Sequence, residues 1–368
     1  MKLPVSPPVA PMLAKLEPEI PRGPGWRYEP KWDGFRAIVF RDGDEMRIES
    51  RDNRPLARYF PELVAVLATA LPDRCVIDGE IVLARDGRLE FDLLQLRLHP
   101  AQSRVEKLAG EIPTSFVAFD LLAEGSESLL DRPLAERRAA LERALRGKGR
   151  RRKEADVESL VSDRSQVLLT PHTDDADEAA RWFVALEPVG LDGIIAKRDD
   201  SRYSPGKRTM VKVKHRRTAD CVVGGYRLSK SGDGVGSLLL GVYGDGDTLH
   251  YLGHTSSFKA QERRDLLKML RPLEGGESYS DGRSPGGGSR WTGGQEAAWV
   301  ALKPVLVCEV SYDYLQGDRF RHAATFVRWR DDKPPSECRF DQLERPGERP
   351  RRGAGRSSSD HSTPSHGS

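Results

Sequence analysis

From residue 26 to about residue 214 the chain mixes short apolar runs of strand length with longer stretches of helical spacing. Runs at 35–41, 76–83, 115–122, 193–197 and 209–214 have the length and apolar content of strands. Stretches at 61–70, 133–146 and 175–186 place apolar residues on one helical face. The second of these opens with Asp131 ahead of Leu134, Leu141 and Leu145, the pattern of a capped amphipathic helix. Strands and helices do not alternate strictly, which predicts an α+β layout rather than a parallel doubly wound sheet. After His215 the pattern changes. Strands are expected at 221–228, 237–243, 249–252 and 305–314, separated by Gly and Asp turns, with one helix at 260–270. About five short strands in roughly 120 residues suit a small β-barrel of the OB type.

This pattern divides the chain into a Pro-rich irregular segment, 1–25, packing on the first domain; a first domain, 26–215; a second domain, 219–342; and a tail, 343–368. The boundary between the two domains is placed near 216–219. Residues 275–289 read as a Gly/Ser loop. The tail holds Ala354 as its one apolar residue beyond Leu343 and is expected to be disordered, because it cannot bury enough surface to offset its ordering entropy.

Composition narrows the chemistry. The chain has 368 residues, enough for two cores without covalent staples. With 31% charged residues and a net charge of +3, it carries no strong overall field, so local clusters matter more. Residues 207–217 hold six Lys/Arg and residues 146–153 another six. Such runs are solvated surface or, beside a phosphate-handling site, a track for a nucleic-acid backbone. The four cysteines form no C-x-x-C pair and have no zinc spacing. Three of them, Cys75, Cys221 and Cys308, adjoin valines, which suits buried thiols in a reducing cytoplasm. No apolar run of about 18 residues and no secretory h-region is present, so a membrane span and secretion are not expected. No G-x-x-x-x-G-K-[ST] loop occurs. Gly232, Gly234 and Gly236 lie between two strand-like runs and predict a hairpin turn, not a dinucleotide loop.

The reactive candidates begin at Glu29-Pro30-Lys31-Trp32-Asp33-Gly34-Phe35-Arg36. Lys31 stands between two strand-like runs. Alone it is a solvated charge. Beside Asp33, Gly34 and Arg36 it completes K-x-D-G-x-R. An amine that attacks phosphorus must be neutral, and desolvation or nearby positive charge favours that form. Asp78 and Glu80, at i and i+2 in an otherwise apolar strand, share one face and suggest a polar site. Phe119 sits in what reads as an ordinary core strand. Asp192 opens an apolar strand that ends at Lys197. Lys212 and Lys214 share a strand face whose opposite side carries Val211 and Val213; two adjacent ammonium groups are an exposed basic strand or, better, a phosphate cradle. Arg330, Asp332 and Lys333 give R-x-D-K, a pattern common on surfaces.

Taken in order over about 300 residues, these pieces resemble the covalent nucleotidyltransferases, and most closely the ATP-dependent DNA ligases of the small stand-alone bacterial LigC type, related to the ligase module of bacterial end-joining enzymes. Residues 11–14, 251–258 and 319–323 also look like that subgroup. The resemblance implies an α+β nucleotidyltransferase (adenylation) domain followed by a β-barrel OB-fold domain, with no separate DNA-binding domain ahead of Trp26. It makes Lys31 the residue that takes AMP from ATP. It implies nucleotide contacts for Glu29, Arg36, Arg51, Glu80, Phe119 (stacked on adenine), Lys197, Lys212, Lys214, Arg330 and Lys333, and a Mg²⁺ or Mn²⁺ site at Glu80 and Asp192. Asp192 departs from the commoner Glu there and reaches one carbon less far. The expected substrate is nicked double-stranded DNA, the expected setting DNA repair by a monomer in the cytoplasm at the nucleoid, and the expected protein partners Ku or a repair polymerase. An RNA ligase, a capping guanylyltransferase, and a nucleic-acid-binding protein that has lost catalysis remain as alternatives. A hinge near 216–219 is expected to swing the second domain between charging and sealing.

Overall fold

The computed structural model describes residues 1–146, 166–244, 248–279, 285 and 298–343. The basic run after Arg146, most of the Gly/Ser loop and the tail after Leu343 lie outside these residues. The chain divides into two compact units, Met1–His215 and Arg216–Ser368.

The first unit contains β1 (Leu13–Leu16), β2 (Trp26–Pro30), β3 (Phe35–Asp42), β4 (Glu45–Ser50), α1 (Pro61–Ala70), β5 (Arg74–Val82), α2 (Phe91–Leu96), α3 (Gln102–Glu111), β6 (Ser115–Glu124), α4 (Leu134–Arg146), β7 (Val167–Leu169), α5 (Ala176–Ala185), β8 (Ile194–Arg198) and β9 (Arg208–Val213). One sheet has the order β1-β9-β8-β2. The other has the order β7-β6-β5-β3-β4, with the short strand Glu127–Ser128 beside β6. In β3, Ala37 and Val39 pack with Leu63 and Leu67 of α1, while Ile38 and Phe40 face the opposite way, onto Leu3, Val5 and Met12. A strand covered on both faces reads as a continuous apolar run, which is why β3 and β5 stand out in the sequence.

Two expectations change here. Residues 1–25 are not irregular throughout: Leu13–Leu16 is a strand, paired in parallel with β9. Its partner lies almost two hundred residues away, so nothing local signals the pairing. Asp131 does not cap α4. The amides of Leu134 and Ala135 donate to the carbonyls of Ser201 and Asp199, and Asp131 pairs with Arg202 at 3.7 Å.

α4 is fastened to β6 by a buried ion pair. Arg137 donates to Asp120 through Nε at 2.8 Å and Nη2 at 2.9 Å, and its Nη1 reaches the carbonyls of Arg132 and Ser201. Both side chains are essentially inaccessible. Asp120→Ala would strand a guanidinium without its counter-charge, and a loss of about 3–5 kcal/mol is expected in chemical denaturation. A change under about 1 kcal/mol would show that the carbonyls alone hold Arg137.

The second unit contains β10 (Arg217–Leu228), β11 (Val235–Tyr243), β12 (Leu249–Thr255), α6 (Ala260–Leu270), β13 (Val307–Tyr312) and β14 (Thr325–Trp329). The order is β12-β11-β10-β13-β14, with Val300–Ala301 beside β10. A parallel bridge from Thr255 to Ala324 brings the two ends of this order together, so the sheet curls into a barrel, as expected for an OB fold. Val222, Leu238, Leu240, Leu252 and Val310 fill it, and α6 packs Leu266, Leu267 and Leu270 against them. The glycines at 232–236 form the β10–β11 hairpin.

Candidate active site

Lys31 lies on the link between the two sheets of the first unit, since β2 belongs to one and β3 to the other. Its backbone continues the β2–β8 ladder: the amide donates to Gly193 O at 2.8 Å, and the amide of Asp192 donates to Lys31 O at 3.1 Å. That pairing places the two side chains together. Lys31 Nζ is 2.9 Å from Asp192 Oδ2. Lys214 Nζ reaches the same oxygen at 2.9 Å from the end of β9. Gly34 is obligatory for the crossover, because a Cβ there would lie 2.1 Å from Ile81 O.

Burial pulls the Lys31 amine toward its neutral form, but Asp192, Asp33 and Glu80 outweigh it and the pKa stands above the ordinary lysine value. Desolvation acts in the direction that attack requires, but the carboxylates around the amine favour its ammonium form. Asp192, although buried, is held below the usual carboxylate range by Lys31 and Lys214. Burial pushes Glu80 up to about 7 against the opposing charges of Arg36 and Lys31. Lys212 is held low by burial and then by Lys214 and Lys31. The exposed Arg51, in the turn after β4, adds to that depression.

A second group of residues gathers around Glu29, two positions before Lys31. Glu29 is buried and takes Lys197 Nζ on Oε2 at 2.7 Å. Lys197 Nζ is also 4.7 Å from the centre of the Phe119 ring, and the Arg36 guanidinium lies 4.3 Å from it. Arg36 forms a two-point bond with Asp78, at 2.6 Å for both Nε and Nη2. Tyr203 donates to Asp78 Oδ2 at 2.6 Å. The i and i+2 carboxylates of β5 therefore differ: Asp78 is taken by Arg36 and Tyr203, while Glu80 lies opposite Arg36 in the ladder and feels the charges of Arg36 and Lys31.

Arg330 and Lys333 belong to the second unit. Arg330 Nη1 donates to both oxygens of Asp220 at 2.9 Å, and Lys333 Nζ donates to Asp220 Oδ2 at 2.9 Å. Arg330 also bonds Asp332, at 2.8 and 2.9 Å. The Gln342 side chain fixes Asp220 through both its amide and its carbonyl. The R-x-D-K pattern is thus a built cluster around a carboxylate.

Residues 11–214 match the family model described as ATP dependent DNA ligase domain, and residues 231–333 match the ATP dependent DNA ligase C terminal region. The chain belongs to the ATP-dependent DNA ligases. It is 51% identical to DNA ligase C2 of Mycolicibacterium smegmatis over 94% of this chain and 97% of that one. It is 50% identical to DNA ligase C of Mycobacterium tuberculosis over 94% and 96%. A solved Lig E DNA ligase shares the fold, with a TM-score of 0.52 at 17% identity over 87% of this chain and 99% of that chain.

Within the first unit of this ligase, Glu29, Lys31, Arg36, Glu80, Phe119, Asp192, Lys197, Lys212 and Lys214 form one connected neighbourhood. The sequence singles out Asp78 beside Glu80 but does not show its partner, and Arg138, whose Nη1 lies 3.8 Å from Glu29 Oε1, belongs to no motif. Arg138 stands next to Arg137 on α4, and adjacent arginines on a helix read as solvated charge unless the faces they occupy are known. Asp220 was missed in the second unit for a similar reason: it is one acid in a strand, and its partners come 110 residues later. Among the described residues no helix is long and apolar enough to cross a membrane.

Proposed function

We propose that Lys31 is the adenylated nucleophile of this ligase. The observation that carries this reading is the convergence of Lys31 and Lys214 on one oxygen of Asp192. It fixes the amine where a second ammonium group can neutralise a phosphate. In the proposed cycle the Lys31 nitrogen forms a bond to the α-phosphorus of ATP as the bond to pyrophosphate breaks, and the amine loses a proton. AMP then passes from Lys31 to the 5′-phosphate at a nick in double-stranded DNA. The 3′-hydroxyl attacks that phosphorus and AMP leaves, which seals the backbone. Lys212, Lys214 and Arg51 are assigned to phosphate charge. Glu29, Phe119 and Lys197 are assigned to the adenosine. Glu29 Oε1 is a buried acceptor without a hydrogen-bond partner, as a base amino group requires. Arg36, bound to Asp78, holds the sugar side of the pocket. Arg330 and Lys333 are assigned to pyrophosphate, which would replace Asp220 as their anion.

Asp192 and Glu80 fit a hard divalent cation. Both act on Lys31, and no group of three or more His, Cys, Asp or Glu able to hold a metal stands among the described residues. Two carboxylates completed by substrate phosphates are the usual setting for Mg²⁺. Bound there, Mg²⁺ or Mn²⁺ supplies positive charge that favours the neutral amine of Lys31. Repair of chromosomal breaks sets the place of work at the nucleoid. The resemblance of the LigC type to the ligase module of end-joining enzymes supports Ku or a repair polymerase as partners, to be sought by pull-down with each purified protein.

Incubation with α-labelled ATP and Mg²⁺ should label the protein, chelation of the metal should prevent it, and a chase with nicked DNA should discharge the label and seal the nick. Labelling by GTP alone would point to capping. Discharge on nicked RNA but not on DNA would point to an RNA ligase.

A further inference from the structure

Arg138 is nine-tenths buried or more, with 3% of its surface exposed. Its Nε donates to Glu142 at 2.9 Å and its Nη2 to the carbonyl of Thr170 at 2.7 Å. Its Nη1 makes no hydrogen bond. That atom lies 3.8 Å from Glu29 Oε1, which is also buried and also makes none. The separation is too long for a hydrogen bond between them. A charged donor and a charged acceptor therefore stand side by side, each with one bond unmade, in the neighbourhood of Lys197 and Phe119. Leaving two such charged groups unsatisfied side by side is costly.

The pair is complementary to a ligand edge that carries a donor next to an acceptor. Adenine has such an edge: its N6 amino group donates, and the neighbouring ring nitrogens accept. Guanine presents the oxygen O6 in place of the amino group, so an acceptor would face the Glu29 carboxylate with no proton between them. We propose that Arg138 is a specificity-determining residue that reads the base of the nucleoside triphosphate. Its Nη1 donates to the ring nitrogen beside the amino group, while Glu29 accepts from that amino group. Arg138 reaches the pocket from α4, whose neighbouring residue Arg137 locks the helix to β6. This proposal rests on the assignment of the pocket to ATP, and it extends that assignment to a residue outside every motif of the sequence.

The test measures Lys31 adenylation with ATP, 1-deaza-ATP and 7-deaza-ATP, each analogue lacking one ring acceptor. Wild type should use one of the two analogues about 10–100-fold less efficiently than ATP, in keeping with loss of a charge-assisted bond. Arg138→Met should use ATP and that analogue equally well, because its donor is gone. A variant that is slowed by one common factor on all three nucleotides would overturn the proposal and leave Arg138 as a brace for Thr170 and Glu142. Arg138→Lys and Arg138→Gln keep a donor on the helix and are measured alongside, with thermal melting to identify folded variants. Equal use of all three nucleotides by wild type overturns the proposal without any variant. No label on wild type from ATP itself would instead remove the underlying assignment of Lys31.

Discussion

Lys31→Ala is expected to form no enzyme–AMP adduct, a loss of more than about 10³-fold, while remaining folded. The fold should survive because Asp192 keeps Lys214 at 2.9 Å when Lys31 is gone, so the buried carboxylate is not stranded. Lys214 is the obvious substitute nucleophile, since it shares the same oxygen. It is not expected to take over, because its backbone leaves the end of β9 rather than the Lys31 link between the sheets. Lys31→Arg should fail equally, because guanidinium stays protonated and is a poor nucleophile. Sealing of a nick that already carries AMP needs no charging step, and Lys31→Ala should retain it. Intact-mass measurement after exposure to ATP and Mg²⁺ reads the first outcome and gel analysis of pre-adenylated DNA the second. Wild-type adduct on Lys31→Ala would sink the assignment. Loss of both activities together would mean that Lys31 also shapes the site.

Much of the nucleophile's surroundings is visible in the sequence because each piece is local. Lys31, Asp33, Gly34 and Arg36 lie within one turn and one strand start, and Lys212 and Lys214 lie at strand spacing. Asp192 and Gly193 immediately precede β8. What the sequence does not show is which charges meet. That Lys31 is held as an ammonium follows from a ladder between β2 and β8, more than 160 residues apart. That Asp78 serves Arg36 is a diagonal pairing, since the β3–β5 register sets Arg36 opposite Glu80, and Tyr203 joins it from a distant loop. In the barrel, Arg330 and Lys333 look like loose surface charge until β10 places Asp220 between them. Periodicity reports which face of an element is buried; it carries no information on which two buried polar groups are opposed across sheets.

The second large effect is expected from a residue with no side chain. Gly193 has φ of +127°, a region that L-residues rarely enter. A Cβ at this position would lie 2.0 Å from Val213 O and 3.0 Å from the Lys214 Cα. The obstacle is backbone, so no rotamer change relieves it. Gly193→Ala must therefore push β8 and β9 apart or twist the peptide that accepts the Lys31 amide. Either movement displaces Asp192 and Lys214 from Lys31 together. A destabilisation of about 3 kcal/mol or more is expected, with loss of adenylation. Gly43→Ala supplies the control. Gly43 also has positive φ, +65°, but a Cβ there meets nothing within 4 Å, so it reports backbone strain alone, about 1 kcal/mol. If Gly193→Ala melts with Gly43→Ala and charges normally, β8 and β9 do not approach as closely as described. Failure to charge with little loss of stability would locate the damage at the Lys31 backbone, which is oriented toward β8 by its amide bond to Gly193 O and by the Asp192 amide on its carbonyl.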